Sequence, residues 1–138
     1  MTTHSGSCLC GAVRFTAEGV NTAHSACHCG MCRRWGGGGP FFGVRTTSVT
    51  FEGDDSITRY ASSPWAERGF CSKCGTHLFY FLVPAAKYMM SAGIFADTAA
   101  FRLASEIFVD HKPDGYAFAG DHPRLTEAET LAKFAPKT

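Results

Sequence analysis

Short apolar segments separated by turn-forming residues follow one another along most of the chain. From Gly11 to Glu18 apolar and polar positions alternate, which is typical of a half-buried β-strand. Further strands are predicted by apolar stretches at 41–44, 48–51, 57–61, 77–83, 88–95 and 106–109. Turn residues such as Pro113 to Gly115 stand between such segments. Regular short strands of this kind predict an all-β fold.

Helical patterns are confined to two short segments. Residues 98–101 favour one short helical turn. The segment from Thr126 to Glu129 matches a capping box that precedes Leu131 and Phe134. We therefore expect a brief helix over about 126–134.

Length and composition restrict the class of protein. The 138 residues are 45% hydrophobic and 18% charged, which predicts a folded chain. We expect a single domain over 1–138, with a core at about 7–110 followed by a carboxy-terminal extension. A net charge of +1 disfavours a nucleic-acid or polybasic membrane partner. With no apolar run of spanning length and no secretory signal at the start, the expected location is the cytoplasm.

The cysteines carry most of the chemical information. The seven residues form three clusters: Cys8 and Cys10; Cys27, Cys29 and Cys32; Cys71 and Cys74. An odd number without an export signal disfavours a disulfide framework, and the clustering disfavours unrelated buried thiols. The C-x-C-x2-C spacing also differs from the usual ferredoxin spacings, which makes an iron–sulfur cluster the weaker metal alternative. Zinc bound by thiolates is the favoured interpretation.

The spacings indicate how the sulfurs are shared. Alternate residues of an extended segment point to the same side, so each C-x-C pair can present two sulfurs to one ion. Four thiolates close a tetrahedral structural zinc site, whereas three leave a position open. The economical division is a closed site from the first and last clusters and an open site from the middle cluster. The rival division adds one outside cysteine to the middle cluster and leaves three scattered ligands.

The segments SCLCGAVRF, CHCGMCRRWGG and ERGFCSKCGTHLFY, in this order, resemble the glutathione-dependent formaldehyde-activating enzyme (GFA) family, also called centromere-protein-V-like. The resemblance implies a β-tent of antiparallel sheets pinned by two zinc ions. It implies a structural zinc at Cys8, Cys10, Cys71 and Cys74 and a catalytic zinc at Cys27, Cys29 and Cys32. The implied activity is that of a carbon–sulfur lyase, an S-(hydroxymethyl)glutathione synthase that joins formaldehyde to glutathione.

The expected chemistry uses a soft metal site. A substrate thiol binds the open position as a thiolate and attacks an aldehyde; alternatively the metal polarises the carbonyl oxygen. Arg33 and Arg34 could pair with glutathione carboxylates, or form a solvated surface pair. Trp35 could line the glutathione site or belong to the core. The glycines at 36–39 fit a flexible loop or a bare backbone that a ligand approaches. His28 should point away from the metal, either to support the metal ligands from behind or to lie at the surface.

A second class of function stays open at this point. The same fold could be a non-catalytic binding module stabilised by two structural zincs. The three-cysteine site, which has no evident fourth protein ligand, favours an enzyme. The absence of a basic extension disfavours a chromatin role, in which Lys/Arg-rich segments contact phosphates.

Overall fold

The computed structural model describes residues 2–134, which divide into two compact units. The first unit comprises Met1–His24 and Gly43–Arg102, and the second comprises Ser25–Phe42 and Leu103–Thr138. The single domain over 1–138, with its core at about 7–110, stays a prediction. Within the described residues no helix has the length and apolar character needed to cross a bilayer.

The fold is mainly β, as the sequence predicts. The strands are β1 (Thr2–Ser7), β2 (Arg14–Val20), β3 (Ala23–Cys27), β4 (Phe41–Arg45), β5 (Ser48–Glu52), β6 (Ile57–Ser63), β7 (Ala66–Cys71), β8 (His77–Leu82), β9 (Lys87–Ser91), β10 (Arg102–Ile107) and β11 (Arg124–Leu125). The α-helices are α1 (Gly30–Gly36) and α2 (Glu127–Phe134), and short 3-10 helices lie at Asp54–Ser56, Ala92–Ile94 and Val109–His111.

Strands of the first unit form two antiparallel arrangements. One is a three-stranded sheet in the order β1-β2-β5, in which Phe15 pairs with Phe51. The other is a ladder in the order β4-β9-β8-β7-β6. Along β2, Phe15, Ala17 and Val20 are buried, so the predicted alternation is present in the structure.

The core of the first unit surrounds Phe79, which is fully buried together with Leu78 and Met90. A Cβ atom at Gly69 would lie 2.2 Å from the Phe79 ring, so β7 can approach this ring only with glycine at that position. Burial of a side chain of this size stabilises the fold by about 1.5–3 kcal/mol. Cys8 and Cys71 belong to the same core, which fixes one cysteine from each of two clusters.

In the second unit the strand order is β11-β10-β3-β4. β10 and β11 pair in parallel, with Glu106 opposite Arg124. α2 begins with the predicted capping box: the Thr126 N–H donates to Glu129 Oε1 at 2.9 Å, and the Glu129 N–H donates to Thr126 Oγ1 at 3.2 Å. The described part of this helix thus starts where the sequence indicates.

Several predicted boundaries are wrong. The expected strand at 88–95 ends at Ser91, where a 3-10 helix begins. The strand expected at 106–109 instead runs from Arg102 and ends at Ile107, because Phe108 adopts a left-handed conformation with φ 56°. Strands β1, β3 and β7 were not predicted because their sequences lack apolar alternation. Residues 98–101 form a turn in which the Phe101 N–H donates to the Thr98 carbonyl at 3.0 Å.

Candidate functional site

The first and last cysteine clusters meet in the first unit. The sulfurs of Cys8, Cys10, Cys71 and Cys74 all lie within 4.8 Å of one another. Cys10 Sγ is 3.7 Å from Cys8 Sγ and 3.9 Å from Cys71 Sγ. All four are free thiols. We call this set the four-cysteine group.

Two tight turns present these four sulfurs. After β1, the Gly11 N–H donates to the Cys8 carbonyl at 3.2 Å, and Gly11 has φ 82°. After β7, the Gly75 N–H donates to the Cys71 carbonyl at 2.8 Å, and Gly75 has φ 80°. Each glycine therefore occupies the left-handed conformation that closes the turn around a cysteine pair. The Val13 N–H also donates to Cys8 Sγ at 3.3 Å, as expected for a thiolate held by backbone amides.

Thr76 connects the two turns through its hydroxyl group. Thr76 Oγ1 accepts a hydrogen bond from the Leu9 N–H at 3.0 Å and lies 3.1 Å from Cys74 Sγ. When Cys74 is a thiolate it only accepts, so the Thr76 hydroxyl then donates to the sulfur. This hydrogen bond, together with those from the backbone N–H groups of Thr76 and Cys10, lowers the pKa of Cys74 from 9.0 to about 5. Cys74 is thereby prepared to act as a thiolate ligand near neutral pH.

The middle cluster meets in the second unit. The sulfurs of Cys27, Cys29 and Cys32 lie within 4.8 Å of one another, and no other His, Cys, Asp or Glu of residues 2–134 joins them. Cys27 ends β3, while Cys29 is the extended N-cap of α1 (φ −61°, ψ 158°). Cys29 Sγ accepts the Cys32 N–H at 3.4 Å. We call this set the three-cysteine group.

Helix α1 was not predicted, yet it explains the C-x2-C spacing. A thiol at the N-cap and another in the first turn fall on the same end of a helix, where free backbone N–H groups favour negative charge. The helix ends at the glycine run: Gly37 has φ 85°, and the N–H groups of Gly37 and Gly38 both donate to the Arg33 carbonyl, at 3.0 and 2.9 Å. The run therefore includes a helix C-cap as well as exposed backbone.

The donor chemistry of both groups fits a thiophilic metal ion. Hydrogen bonds and charge from Cys29 and Cys32 raise the pKa of Cys27 above its ordinary value. Three thiolates this close repel one another unless a cation compensates them. Four sulfurs complete a tetrahedron, and three leave one position for another ligand. Either group could thus hold one ion.

His28 stands between two of the sulfurs but is not part of the group. Its side chain is fully buried, with Nε2 2.7 Å from Glu106 Oε1 and Nδ1 2.8 Å from the Tyr116 hydroxyl. The prediction that His28 does not ligate agrees with this orientation. The alternative of a surface position for His28 is wrong, because β10 and the segment around Tyr116 cover the ring.

Glu106 is the central residue that the sequence did not reveal. It is 2% exposed, and its Oε2 accepts from His122 Nε2 at 2.6 Å and from Arg124 Nε at 3.0 Å. Burial acts to raise its pKa, but the hydrogen bonds from His122 and His28 and the charge of Arg124 hold the pKa below 4.5. An acidic residue at the start of the predicted strand at 106–109 was the one available indication. Its partners are 16 to 78 residues away in sequence.

The three residues expected to bind glutathione lie on α1 in different environments. Arg33 is partly buried, and its Nε donates to the His28 carbonyl at 3.0 Å. Arg34 is exposed. The Trp35 ring lies 5.7 Å from that of Phe41. Arg33 therefore supports the backbone of the three-cysteine group, and a role of these side chains toward glutathione stays a prediction.

Comparison with known proteins bears on this arrangement. A profile of the glutathione-dependent formaldehyde-activating enzyme family matches residues 3–111, a stretch that contains both cysteine groups. The chain belongs to this family. The resemblance stated from the three cysteine-containing segments is thus confirmed.

Individual members of the family are similar over most of the chain. An uncharacterised lyase of Schizosaccharomyces pombe is 32% identical over 133 residues, which cover 95% of this chain and 96% of the relative. A Halomonas elongata protein, provisionally named glutathione-dependent formaldehyde-activating enzyme, is 30% identical over 79% of this chain and 76% of its own. A Rhodobacter sphaeroides crystal structure from structural genomics shares the fold, with a TM-score of 0.56, 22% identity, and coverage of 87% of this chain and 98% of that one.

Proposed function

We propose that this chain is a zinc-dependent carbon–sulfur lyase that joins a small thiol to an aldehyde, in the manner of S-(hydroxymethyl)glutathione synthase. The observation that carries the proposal is that the two cysteine groups differ in their number of sulfur atoms. One has four sulfurs within 4.8 Å, and the other has three. A closed group suits a structural ion, and an open group suits catalysis.

The residues of the two groups receive different roles. Cys8, Cys10, Cys71 and Cys74 would hold a structural zinc, and Cys27, Cys29 and Cys32 would hold a catalytic zinc. Zinc held by these three thiolates would lower the pKa of a substrate thiol and would leave one coordination position for it. Glutathione is the thiol that the family name indicates.

The reaction forms one carbon–sulfur bond. The sulfur lone pair of the thiolate attacks the aldehyde carbon, the carbonyl π electrons move to oxygen, and the oxygen takes up the proton that the thiol released. No oxidant or reductant is needed. The product with formaldehyde is a hemithioacetal, an S-hydroxymethyl thiol adduct, and the reverse direction is the lyase reaction.

Residues on α1 are proposed to hold the rest of the thiol substrate. Arg34 is exposed on the helix that carries Cys32, and its guanidinium would pair with a carboxylate of glutathione. Arg33 and Trp35 lie on the same short helix, and each is proposed to contact the bound thiol from its own side of that helix. A reducing compartment such as the cytoplasm would keep the seven cysteines reduced and available for metal binding.

NMR exchange spectroscopy with glutathione and isotopically labelled formaldehyde tests the proposal. We expect the zinc-loaded protein to accelerate exchange between free glutathione and its hydroxymethyl adduct above the uncatalysed rate. Calorimetry should show glutathione binding to the same preparation. Two bound zinc ions without acceleration and without glutathione binding would instead support the non-catalytic binding module.

A further inference from the structure

A set of polar side chains, centred on the buried residues His28 and Glu106, lies next to the three-cysteine group in the second unit. We call it the Glu106 network; its members are His28, Glu106, Tyr116, His122 and Arg124. We infer that Tyr116 and His122 are positioning residues, which hold His28 through direct contact or through Glu106 and so fix the separation of the sulfurs on either side of it. The inference rests on the proposal that Cys27, Cys29 and Cys32 hold zinc.

The carboxylate determines how the network is oriented. An ionised Glu106 only accepts hydrogen bonds, so the Nε2 atoms of His28 and His122 that face it must both carry a proton. The other ring nitrogen of His28, Nδ1, forms a hydrogen bond with the Tyr116 hydroxyl at 2.8 Å. Each polar atom of the His28 ring therefore has one partner. These two hydrogen bonds fix the orientation of the ring.

The backbone of His28 is held as firmly as its ring. Its N–H donates to the Ile107 carbonyl at 3.1 Å, and its carbonyl accepts from Arg33 Nε at 3.0 Å. His28 links Cys27 to Cys29, so its backbone angles set the relative direction of these two side chains. A rotation at His28 would separate the two sulfurs. Restraint of this one residue is thus restraint of the metal-binding geometry.

The network extends into the carboxy-terminal part of the chain. Arg124 Nη2 donates to the carbonyls of Phe118 and Gly120, at 2.9 and 3.0 Å, while its Nε donates to Glu106. Tyr116, His122 and Arg124 all follow residue 111, where the family match ends. The segment beyond the matched stretch therefore contributes to the geometry of the three-cysteine group, a function not predicted for it from sequence.

Zinc release to a chromophoric chelator measures this restraint. The zinc-loaded wild-type protein should release two equivalents in two phases, the faster from the open three-cysteine group, which a chelator can enter. Tyr116→Phe removes only a hydroxyl, and His122→Leu removes the donor to Glu106. We expect each to accelerate the fast phase about 10-fold or more and to leave the slow phase unchanged. Tyr60→Phe, at an exposed tyrosine, is the matched control and should change neither phase.

Restoration of the donor separates positioning from a general loss of stability. In His122→Gln the side-chain amide can donate to Glu106, so the fast phase should return toward the wild-type rate. Two outcomes overturn the inference when two equivalents of zinc are released. In one, Tyr116→Phe and His122→Leu leave the rate of the fast phase unchanged. In the other, these variants accelerate the fast and the slow phase together. Release of a single equivalent by the wild-type protein would contradict the proposed zinc at the three-cysteine group itself, and the inference with it.

Discussion

The hydroxyl group of Thr76 lies 3.1 Å from the sulfur of Cys74 and also accepts the backbone N–H of Leu9 at 3.0 Å. One side chain therefore joins the two turns that carry the four-cysteine group. The hydrogen bond to Cys74 stabilises its thiolate and is the largest of the contributions that lower the pKa of Cys74 to about 5. This relationship leads to a prediction about competition between protons and metal.

Thr76→Val should make the four-cysteine group lose its metal at a higher pH. A thiolate with a low pKa keeps its ligand form as the solution is acidified, because protons displace the metal only when they can bind sulfur. Removal of the hydroxyl raises the pKa of Cys74, so the midpoint of zinc release on acidification should move upward. The midpoint is the pH at which half of the zinc that the slow phase releases to a chelator at pH 7 has already been lost. It is obtained from the size of that phase at a series of pH values between 7 and 4. The control is Thr58→Val, at an exposed position of β6; equal midpoints for the two variants would contradict the prediction.

Cys32→Ser and Cys74→Ser should fail in different ways. Cys32→Ser removes a ligand of the open group, so we expect exchange between glutathione and its adduct to fall to the uncatalysed rate while the thermal transition remains. Cys74→Ser breaks the closed group, which includes the core residues Cys8 and Cys71, and a structural metal contributes directly to folding. Circular dichroism melting curves and the NMR exchange assay distinguish the two. Equal loss of folded structure in both variants would refute the division of roles.

The cysteine groups were predictable because ligand spacing is a local property. Cys27 and Cys29 alternate in an extended segment, and glycines follow Cys10 and Cys74 where the turns need left-handed backbone. Helix α1 was not predictable from propensity, since it contains two glycines in seven residues. It forms where Cys29 caps one end and Gly37 the other. The Glu106 network was not predictable because tertiary folding alone brings its members together.

Gly37→Ala should destabilise the protein, whereas Gly36→Ala should not. Gly37 has φ 85°, and a Cβ atom built on either glycine meets no atom within 4 Å, so the difference is one of backbone conformation alone. Alanine in the left-handed region costs roughly 1 kcal/mol. Alanine within a helix is favoured over glycine by a similar amount. Urea unfolding of the two variants measures both effects. A loss at Gly36 as large as that at Gly37 would mean that the glycine run serves something other than the helix end.

Glu106→Gln should reduce stability in a way that depends on pH. The pKa of Glu106 is lowered in the folded protein, so its contribution is present above the ordinary pKa of 4.5 and is lost as the pH falls below that value. Glutamine cannot accept from three donors as a charged group does. We expect a loss of about 1.5–3 kcal/mol at pH 7, from hydrogen bonds to a charged acceptor. Urea midpoints of the wild-type and variant proteins at a series of pH values between 7 and 3 measure the loss.

The difference in urea midpoint between the wild-type and variant proteins, called the gap below, is the informative quantity. Loss of metal on acidification affects both proteins and therefore cancels in this difference. The gap should narrow below the ordinary pKa of 4.5, where the wild-type carboxylate begins to lose its advantage over the amide. Glu67→Gln is the matched control: Glu67 is 34% exposed and pairs with Arg59 at 3.4 Å, and a surface pair of this kind contributes at most about 1 kcal/mol. A gap for Glu106→Gln that stays constant down to pH 3 would mean that shape and hydrogen-bond number, rather than the charge of Glu106, hold His28 in place.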